Sequence, residues 1–202
     1  LREATIAVGN YFQRTDDRGP WGQNPGSTGG TQHECRQNFN ILMTDGYWTA
    51  GSISGIDNED NQSGSTIAND SSPKVPVSYT YSPSLPYSDA YSDTLADVAM
   101  KYWKNDLRTD MQNKVPTNPH DPAFWQHLVN FTVGLGVKGS LSELPTGSES
   151  WPNPTLSDEF KIDDLKHAAV NSRGNFFSAA DPTEFSNALS NALSTIVART
   201  GA

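Results

Sequence analysis

Residues 38–46 read Asn38-Phe39-Asn40-Ile41-Leu42-Met43-Thr44-Asp45-Gly46, and this stretch indicates the fold class more clearly than any other. Its apolar run is bounded by Asn38 on one side and by Asp45-Gly46 on the other, which predicts a buried strand of about six residues. Strands buried on both faces are typical of parallel sheets that helices cover. Asp45 then stands at the carboxyl end of the strand, where ligands gather in open α/β sheets.

Helical patterns flank this strand along the chain, and further apolar patterns predict two more strands. The first predicted helix covers residues 1–14, and the second begins after a Ser92 cap. The third contains Ile162 and Leu165 and ends at Gly174. The fourth has Asp181 as cap, Pro182 in the first position and Glu184 behind it. The predicted strands cover Val129–Val137, which alternates with period two, and residues 175–177. This alternation predicts an α/β fold: a doubly wound, mostly parallel sheet of Rossmann type, covered on both faces.

Two features of this pattern indicate the domain organisation: a missing first strand and a long polar segment between the first strand and the second helix. A doubly wound domain that opens on a helix lacks the strand that feeds that helix, so we expect residues 1–202 to form a single, N-terminally incomplete domain. Residues 47–93 are polar and rich in Ser, Gly, Asn and Asp, and we expect them to be a loop and β insertion within it. One strand or hairpin arm is expected inside the insertion, from the alternation of Val75, Val77, Tyr79 and Tyr81.

Composition argues against two classes of protein. The chain has 202 residues with 14 Lys and Arg against 23 Asp and Glu, a net charge of −9, which argues against a nucleic-acid-binding surface. No apolar run approaches the roughly 18 residues that a membrane-spanning helix needs. Cys35 is the single cysteine, so it cannot form a disulfide within these residues.

Asp45 is the candidate metal ligand. Its carboxylate at the end of a strand could bind an oxygen-preferring cation such as Mg²⁺. The competing interpretation is that Asp45-Gly46 is simply a turn, because this dipeptide is turn-prone. One carboxylate is also not a complete site, since Mg²⁺ takes near-octahedral oxygen coordination.

Other candidate ligands have structural alternatives. Asp57, Glu59 and Asn61 resemble the start of a calcium loop, yet Ala68 stands where a bidentate Glu belongs, which favours a solvated acidic loop. His33 and Cys35 could begin a zinc site, but no second pair of suitable spacing follows. A structural role is expected for the remaining histidines: His120, His127 and His167.

Two aromatic residues follow Asp45 closely. Tyr47 and Trp48 could stack against a sugar or contact a partner protein, or they could cover the edge of the sheet. The second interpretation is favoured, because large aromatic side chains dominate core burial.

The segment Cys35–Trp48 resembles the PilY/PilC family of type IV pilus tip-associated proteins, and further blocks of the chain do so in the same order. These blocks are Tyr11-Phe12 with Arg18-Gly19-Pro20-Trp21, Tyr87-Ser88-Asp89 with Thr94–Ala99 and Tyr102-Trp103, Asp121–His127 with Phe131–Gly136, and Ile162–Leu165 with His167–Asn171 and Arg173-Gly174. Together they cover nearly the full length.

The resemblance implies a von Willebrand A-like domain, seen from its second helix onward. Such domains hold a divalent ion with an Asp-x-Ser-x-Ser loop, a Thr and an Asp, and Asp45 matches that third motif. No Asp-x-Ser-x-Ser occurs in this sequence, and the Thr is expected just before Leu1. The implied cofactor is therefore Mg²⁺ or another divalent cation, in a site that these residues leave incomplete.

The function that the resemblance implies is binding and assembly rather than catalysis. We expect a type IV pilus biogenesis and tip-adhesion module at the bacterial cell surface, secreted through the periplasm. Its expected partners are minor pilins or pilus tip proteins and a host or abiotic surface ligand. Two alternatives stay open: a carbohydrate-active hydrolase that uses Asp57 with Asp60 and the Trp48 ring, and a purely structural spacer.

Overall fold

Helices and strands alternate in the order that the hydrophobic patterns predict. A computed structural model describes residues 1–45, 47–48, 53–69 and 78–200. The elements are α1 (Arg2–Phe12), β1 (Phe39–Thr44), β2 (Ile67–Ala68), β3 (Ser78–Tyr79), α2 (Leu95–Lys104), β4 (Val129–Leu135), α3 (Asp158–Asn171), β5 (Phe176–Ala179) and α4 (Pro182–Thr200).

The main sheet has the strand order β1-β4-β5, and both of its pairings are parallel. Phe39 pairs with Val129 at the start of β1, and Thr44 pairs with Gly134 at its end. Leu135 of β4 pairs in turn with Ala179 of β5. The prediction of a parallel α/β sheet is therefore confirmed.

Helices cover both faces of this sheet. Leu42 and Phe176 face α2 and α3, where they pack against Leu95, Leu165 and Ala168. The neighbouring residues Ile41 and Phe177 point the opposite way, as alternation in strands requires. On that second face they pack with Phe131 and with Ala192 and Ile196 of α4. The doubly wound arrangement is thus confirmed, and the two strand faces supply separate parts of the core.

Strand β1 is less buried than the sequence predicts. It is at the edge of the sheet formed by the described strands, since its hydrogen-bonded neighbour there is β4. Its residues are half-buried, and Met43 is 46% exposed. The expectation of a fully buried strand was wrong because a continuous apolar run does not show how many neighbours a strand has.

Residues 47–93 are anchored to the helical layer by apolar side chains. β2 and β3 form a short antiparallel pair, and Ile67 and Tyr81 are buried with Met100 and Trp103 of α2. The predicted hairpin arm corresponds to β3, while Val75 and Val77 lie outside the described residues. That 47–93 is an insertion in one domain stays a prediction.

Three details of the helices differ from the sequence-based expectation. The cap of α2 is Thr94 rather than Ser92, because Thr94 and Asp97 bond reciprocally in a capping box. In α1 the apolar residues at helical spacing include Ala4 and Tyr11, yet both are exposed. The buried side contains Thr5 and Gly9, since Gly9 lies directly against the Tyr102 ring. In α4 the apolar stripe predicted by the spacing includes Leu193, yet Leu193 is 49% exposed because the small side chains of Ala188 and Ala192 face the sheet.

Candidate functional site

Asp45 directly follows β1 and is exposed at the carboxyl edge of the sheet. The loop after β4 reaches the same edge, where Gly136 donates its backbone N–H to the carbonyl of Ala179 at 2.7 Å. Because parallel strands end together, the segments after β1, β4 and β5 converge there. The edge therefore presents an accessible carboxylate in the position where this class of fold binds ligands.

The described residues do not complete a magnesium site around Asp45. Within the described ranges, one group of three His, Cys, Asp or Glu side chains has ligand atoms within 4.8 Å of one another, and Asp45 is not part of it. Mg²⁺ needs about six oxygen ligands, and Asp45 supplies a single carboxylate. A metal-binding role for Asp45 stays a prediction.

The group that does come together is Asp60, Asp89 and His167, in the interior between the 47–93 segment and α3. Nε2 of His167 is 3.5 Å from Oδ2 of Asp60, and its Nδ1 is 3.5 Å from Oδ2 of Asp89. All three side chains are buried, with exposed fractions of 3% or less. This Asp-Asp-His cluster could hold a metal ion.

The imidazole of His167 is held in one orientation by two neighbours. Its Nε2 donates to the carbonyl of Tyr87 at 2.8 Å. The Trp151 ring is stacked on it at a centroid distance of 4.2 Å and an interplanar angle of 13°. Trp151 is fixed in turn, because its Nε1 donates to the carbonyl of Pro86 at 2.8 Å.

Asp60 accepts hydrogen bonds from the 47–93 segment and from the end of α3. Its Oδ1 accepts the backbone N–H of Asp89 at 3.0 Å, and its Oδ2 accepts Nδ2 of Asn171 at 3.0 Å. The hydroxyl of Tyr81 donates to the Asp60 carbonyl at 2.6 Å. The residue thus joins the 47–93 segment to the end of α3.

Burial dominates the electrostatics of this region. Burial raises the pKa of Asp60 to about 6, against the attraction of His167. It raises the pKa of Asp97 to about 7, with the negative charge of Asp60 adding to the effect. For His167, burial alone lowers the pKa, but the interactions with Asp89 and Asp60 outweigh it, so the pKa lies above its usual value. Negative charge is therefore in excess around one imidazole, which favours a cation.

The structure separates the carboxylates of the proposed hydrolase pair. Asp57 is exposed, whereas Asp60 is completely buried, so the two do not face one accessible cleft as paired catalytic carboxylates must.

The calcium-loop interpretation is weakened by Glu59, whose Oε2 forms an ion pair with Nζ of Lys104 at 2.7 Å. Trp48 packs against the cluster of Leu95 and Leu165, as expected for a residue that covers the sheet. The same expectation was wrong for Tyr47, whose side chain is 47% exposed.

The single cysteine and the histidines have different environments. Cys35 and His120 are exposed, and neither belongs to the cluster that could bind metal. His127 is buried and paired with Asp121. The sequence predicted only a structural role for His167. That prediction did not connect this histidine with Asp60 and Asp89, which are far away in the chain. A signal existed, since Asp89 and His167 both lie in blocks that resemble the PilY/PilC family.

Within the part of the chain that the structure describes, no helix combines the length and the apolarity needed to cross a membrane.

Comparisons with known proteins identify relatives along nearly the whole chain. It is 36% identical over 226 residues to the type IV pilus biogenesis factor PilY1 of Pseudomonas aeruginosa strain PAK, which covers 97% of the chain and 19% of the relative. PilY1 of strain PAO1 is 35% identical with the same coverage, and PilY1 of strain UCBPP-PA14 is 35% identical over 84% of the chain. No protein-family model and no solved structure matches the chain. The chain spans about a fifth of the length of these relatives, and over that segment it belongs to the family of PilY1-like type IV pilus proteins.

Proposed function

We propose that this chain acts in type IV pilus biogenesis and as an adhesion module at the pilus tip, and that it binds a partner through the carboxyl edge of its sheet. The observation that carries the proposal is the 36% identity to a type IV pilus biogenesis factor over 97% of the chain. The proposed partners are minor pilins or pilus tip proteins and a host or abiotic surface ligand. The proposed location is the cell surface or pilus tip, reached through the periplasm.

The geometry of the sheet edge supports this surface as the binding site. Asp45 is exposed there, and the adjacent Tyr47 is 47% exposed. An exposed carboxylate and an exposed aromatic ring two residues apart in the sequence offer a charged acceptor and an apolar contact to a protein partner. We further propose that residues 47–93 border this surface as an insertion in a partial von Willebrand A-like domain and contribute to partner choice.

Metal dependence is proposed for the intact domain alone. In that domain Asp45 would supply one carboxylate ligand to Mg²⁺ or another divalent cation. Such a cation would attract an acidic group of a partner protein. The described residues of this chain do not complete that coordination, so the partner-binding surface is argued from Asp45 and its neighbours.

Replacement of Asp45 in the chromosomal gene tests the binding surface. Asp45→Asn should lower adhesion of the bacteria while the chain still accumulates, because the substitution removes an exposed charge and little packing. Asp16→Asn is the matched control, an exposed carboxylate that precedes β1, and it should leave adhesion unchanged. Equal adhesion by both variants and the parent strain would overturn the binding surface.

Deletion of the coding segment tests the role in biogenesis. Loss of the segment should reduce the amount of pilin that can be sheared from the cell surface, measured against total cellular pilin. Normal surface pili in the deletion strain would contradict the proposed role.

Metal dependence is tested separately in the full-length protein. Calorimetry with Mg²⁺, Mn²⁺ and Ca²⁺ should detect one site that Asp45→Ala weakens. Absence of binding in both proteins would favour a structural spacer instead.

A further inference from the structure

The atoms of Asp60, Asp89 and His167 have the spacing of ligands that share one small ion. The His167 Nδ1 to Asp89 Oδ2 distance of 3.5 Å is longer than an ordinary hydrogen bond of about 2.7–3.2 Å. Two ligands of a tetrahedral zinc ion, each about 2.0–2.2 Å from the metal, lie about 3.3–3.6 Å from each other. Asp60 offers a carboxylate oxygen within 4.8 Å of one ligand atom of each of the other two residues. Its Oδ2 is nearest to Nε2 of His167, at 3.5 Å, so an ion on Nδ1 requires the Asp60 carboxylate to turn toward that nitrogen.

His167 is prepared to act as a ligand through Nδ1. Because its Nε2 donates to the Tyr87 carbonyl at 2.8 Å, Nε2 carries a proton and Nδ1 is the nitrogen whose lone pair can be freed. Histidine ligands of metals commonly donate their other ring N–H to a backbone carbonyl in this way. The Trp151 ring stacked on the imidazole keeps its plane fixed.

Asn171 provides a second, independent observation. Its side chain is completely buried, its Nδ2 donates to Oδ2 of Asp60, and its Oδ1 has no hydrogen-bond partner. A buried unpaired amide oxygen is costly. Nδ2 also donates to the carbonyl of Ala96 at 3.2 Å. A half-turn of the carboxamide would therefore place Oδ1 beside both Oδ2 of Asp60 and the Ala96 carbonyl, an arrangement of three oxygens that a cation among them would stabilise.

We propose that Asp60, Asp89 and His167 bind one zinc ion in the interior, with Asn171 as an additional ligand or as the donor that positions Asp60. A mixed set of one imidazole and two carboxylates suits zinc better than magnesium or calcium, which prefer oxygen alone. Binding displaces the Nδ1 proton of His167 to solvent. The ion ties the 47–93 segment, through Asp60 and Asp89, to α3, and this role does not depend on adhesion at the sheet edge.

Metal binding by the wild-type chain is the first test. The chain is purified in a Cys35→Ser background, because an exposed thiol binds zinc, then stripped with a chelator and titrated with zinc in a calorimeter. We expect one zinc per chain and a Tm higher by about 5–10 °C at a free zinc concentration about 100-fold above Kd. A folded chain that binds no zinc at millimolar concentration would overturn the proposal.

Substitutions then locate the site. Asp89→Asn and His167→Gln should abolish stoichiometric binding, and Asn171→Ala should weaken the affinity about 10- to 100-fold. His127→Gln is the matched control, since His127 is equally buried and paired with an aspartate, and it should retain one zinc. Unchanged binding in both ligand variants would overturn the assignment.

A spectroscopic readout keeps the proposal testable if these variants do not fold. Co²⁺ bound to the wild-type chain should show intense visible ligand-field bands of a four-coordinate N and O site, and zinc should displace it. Weak bands typical of six-coordinate Co²⁺ would contradict the proposed geometry.

Discussion

At the scale of single residues, His127 and Asp121 form a buried pair whose pKa values move in opposite directions. Nε2 of His127 is 2.9 Å from Oδ2 of Asp121, and Nδ1 is 2.6 Å from the Trp125 carbonyl. Burial by itself lowers the pKa of His127, but the charge of Asp121 and the hydrogen bonds outweigh it and raise the pKa. Burial by itself raises the pKa of Asp121, and the attraction of His127 outweighs it, so that pKa is lowered. The pair is therefore charged between the two values.

This pair predicts a pH dependence of stability. The raised pKa of His127 means that this residue stabilises the fold below about pH 6.5, and the contribution is lost as the pH rises through the folded-state pKa. The lowered pKa of Asp121 means that this residue stabilises the fold above about pH 4, and the contribution is lost as the pH falls through the folded-state pKa. His127→Gln should therefore lower the free energy of unfolding most between about pH 4 and 6.5, by about 3 kcal/mol, and less at pH 9. Urea unfolding at pH 5 and pH 9 measures this. The exposed His120→Gln should change it by less than about 0.5 kcal/mol, and an equal loss for His127→Gln at both pH values would contradict the argument.

At the scale of elements, the start of α2 shows how a helix is fixed within the core. Thr94 and Asp97 form a capping box, in which the Asp97 N–H donates to Oγ1 of Thr94 at 3.0 Å and the Thr94 N–H donates to Oδ2 of Asp97 at 2.9 Å. The carboxylate of Asp164 in α3 accepts the next two backbone N–H groups, those of Leu95 and Ala96, at 3.0 and 2.9 Å. The unpaired donors of this helix end are thus satisfied partly by a neighbouring helix.

Removal of the cap should destabilise the protein at Thr94 and not at the earlier Ser92. Thr94→Ala should lower the free energy of unfolding by about 1–2 kcal/mol, because a buried backbone donor loses its acceptor. Ser92→Ala is the matched control and should cost less than about 0.5 kcal/mol. Denaturant unfolding of both variants decides between the two caps, and a larger cost at Ser92 would refute the observed one.

The contact between α1 and α2 predicts an unusual sign for a glycine substitution. Alanine is favoured over glycine in helices by about 1 kcal/mol, yet a Cβ at Gly9 would overlap the Tyr102 ring. We expect Gly9→Ala to lower the free energy of unfolding by about 1–3 kcal/mol. A rise in Tm measured by calorimetry would show that α1 does not pack closely on α2.

At the scale of the whole molecule, Arg173 joins three parts of the chain. Its guanidinium carbon lies 3.7 Å from the centroids of both the Tyr87 ring of the 47–93 segment and the Trp103 ring of α2. Its NH1 donates to the carbonyl of Asn171 at the end of α3 at 2.9 Å. The side chain therefore couples the segment to the helical layer through a desolvated cation.

Arg173→Met should lower the free energy of unfolding by at least about 2 kcal/mol, because methionine keeps length and apolar contact but removes the cation and its donors. Because Arg173 contacts both the 47–93 segment and α2, the substitution should loosen both of them together. We therefore expect the amides of Asp89 in the segment and Leu95 in α2 to lose protection together in hydrogen exchange. The exposed Arg18→Met serves as the control and should change neither quantity. Loss of protection confined to Asp89 would show that the segment opens independently.

Local patterns were sufficient for the elements of this fold but not for their environments. The 3.6 and 2.0 periodicities predicted α2 and β4. The motif of Asp181, Pro182 and Glu184 predicted the cap of α4, where Oδ1 of Asp181 accepts the N–H groups of Thr183 and Glu184. They did not show that β1 is at an edge, or that Gly9 is buried, because both depend on which neighbour packs there. Asp45 at the end of β1 followed from the strand boundary, while its proposed role depends on resemblance.

The sequence by itself determined the order of helices and strands and the family, since both are written in short contiguous motifs and local periodicity. The tertiary structure alone decided the Asp60, Asp89 and His167 cluster. Two of its members come from distant positions in the polar 47–93 segment and the third comes from α3. No local rule measures the distance between residues that the chain brings together only when it packs. Burial in that cluster raises the pKa of Asp60 to about 6, whereas the sequence pattern predicted a solvated acidic loop.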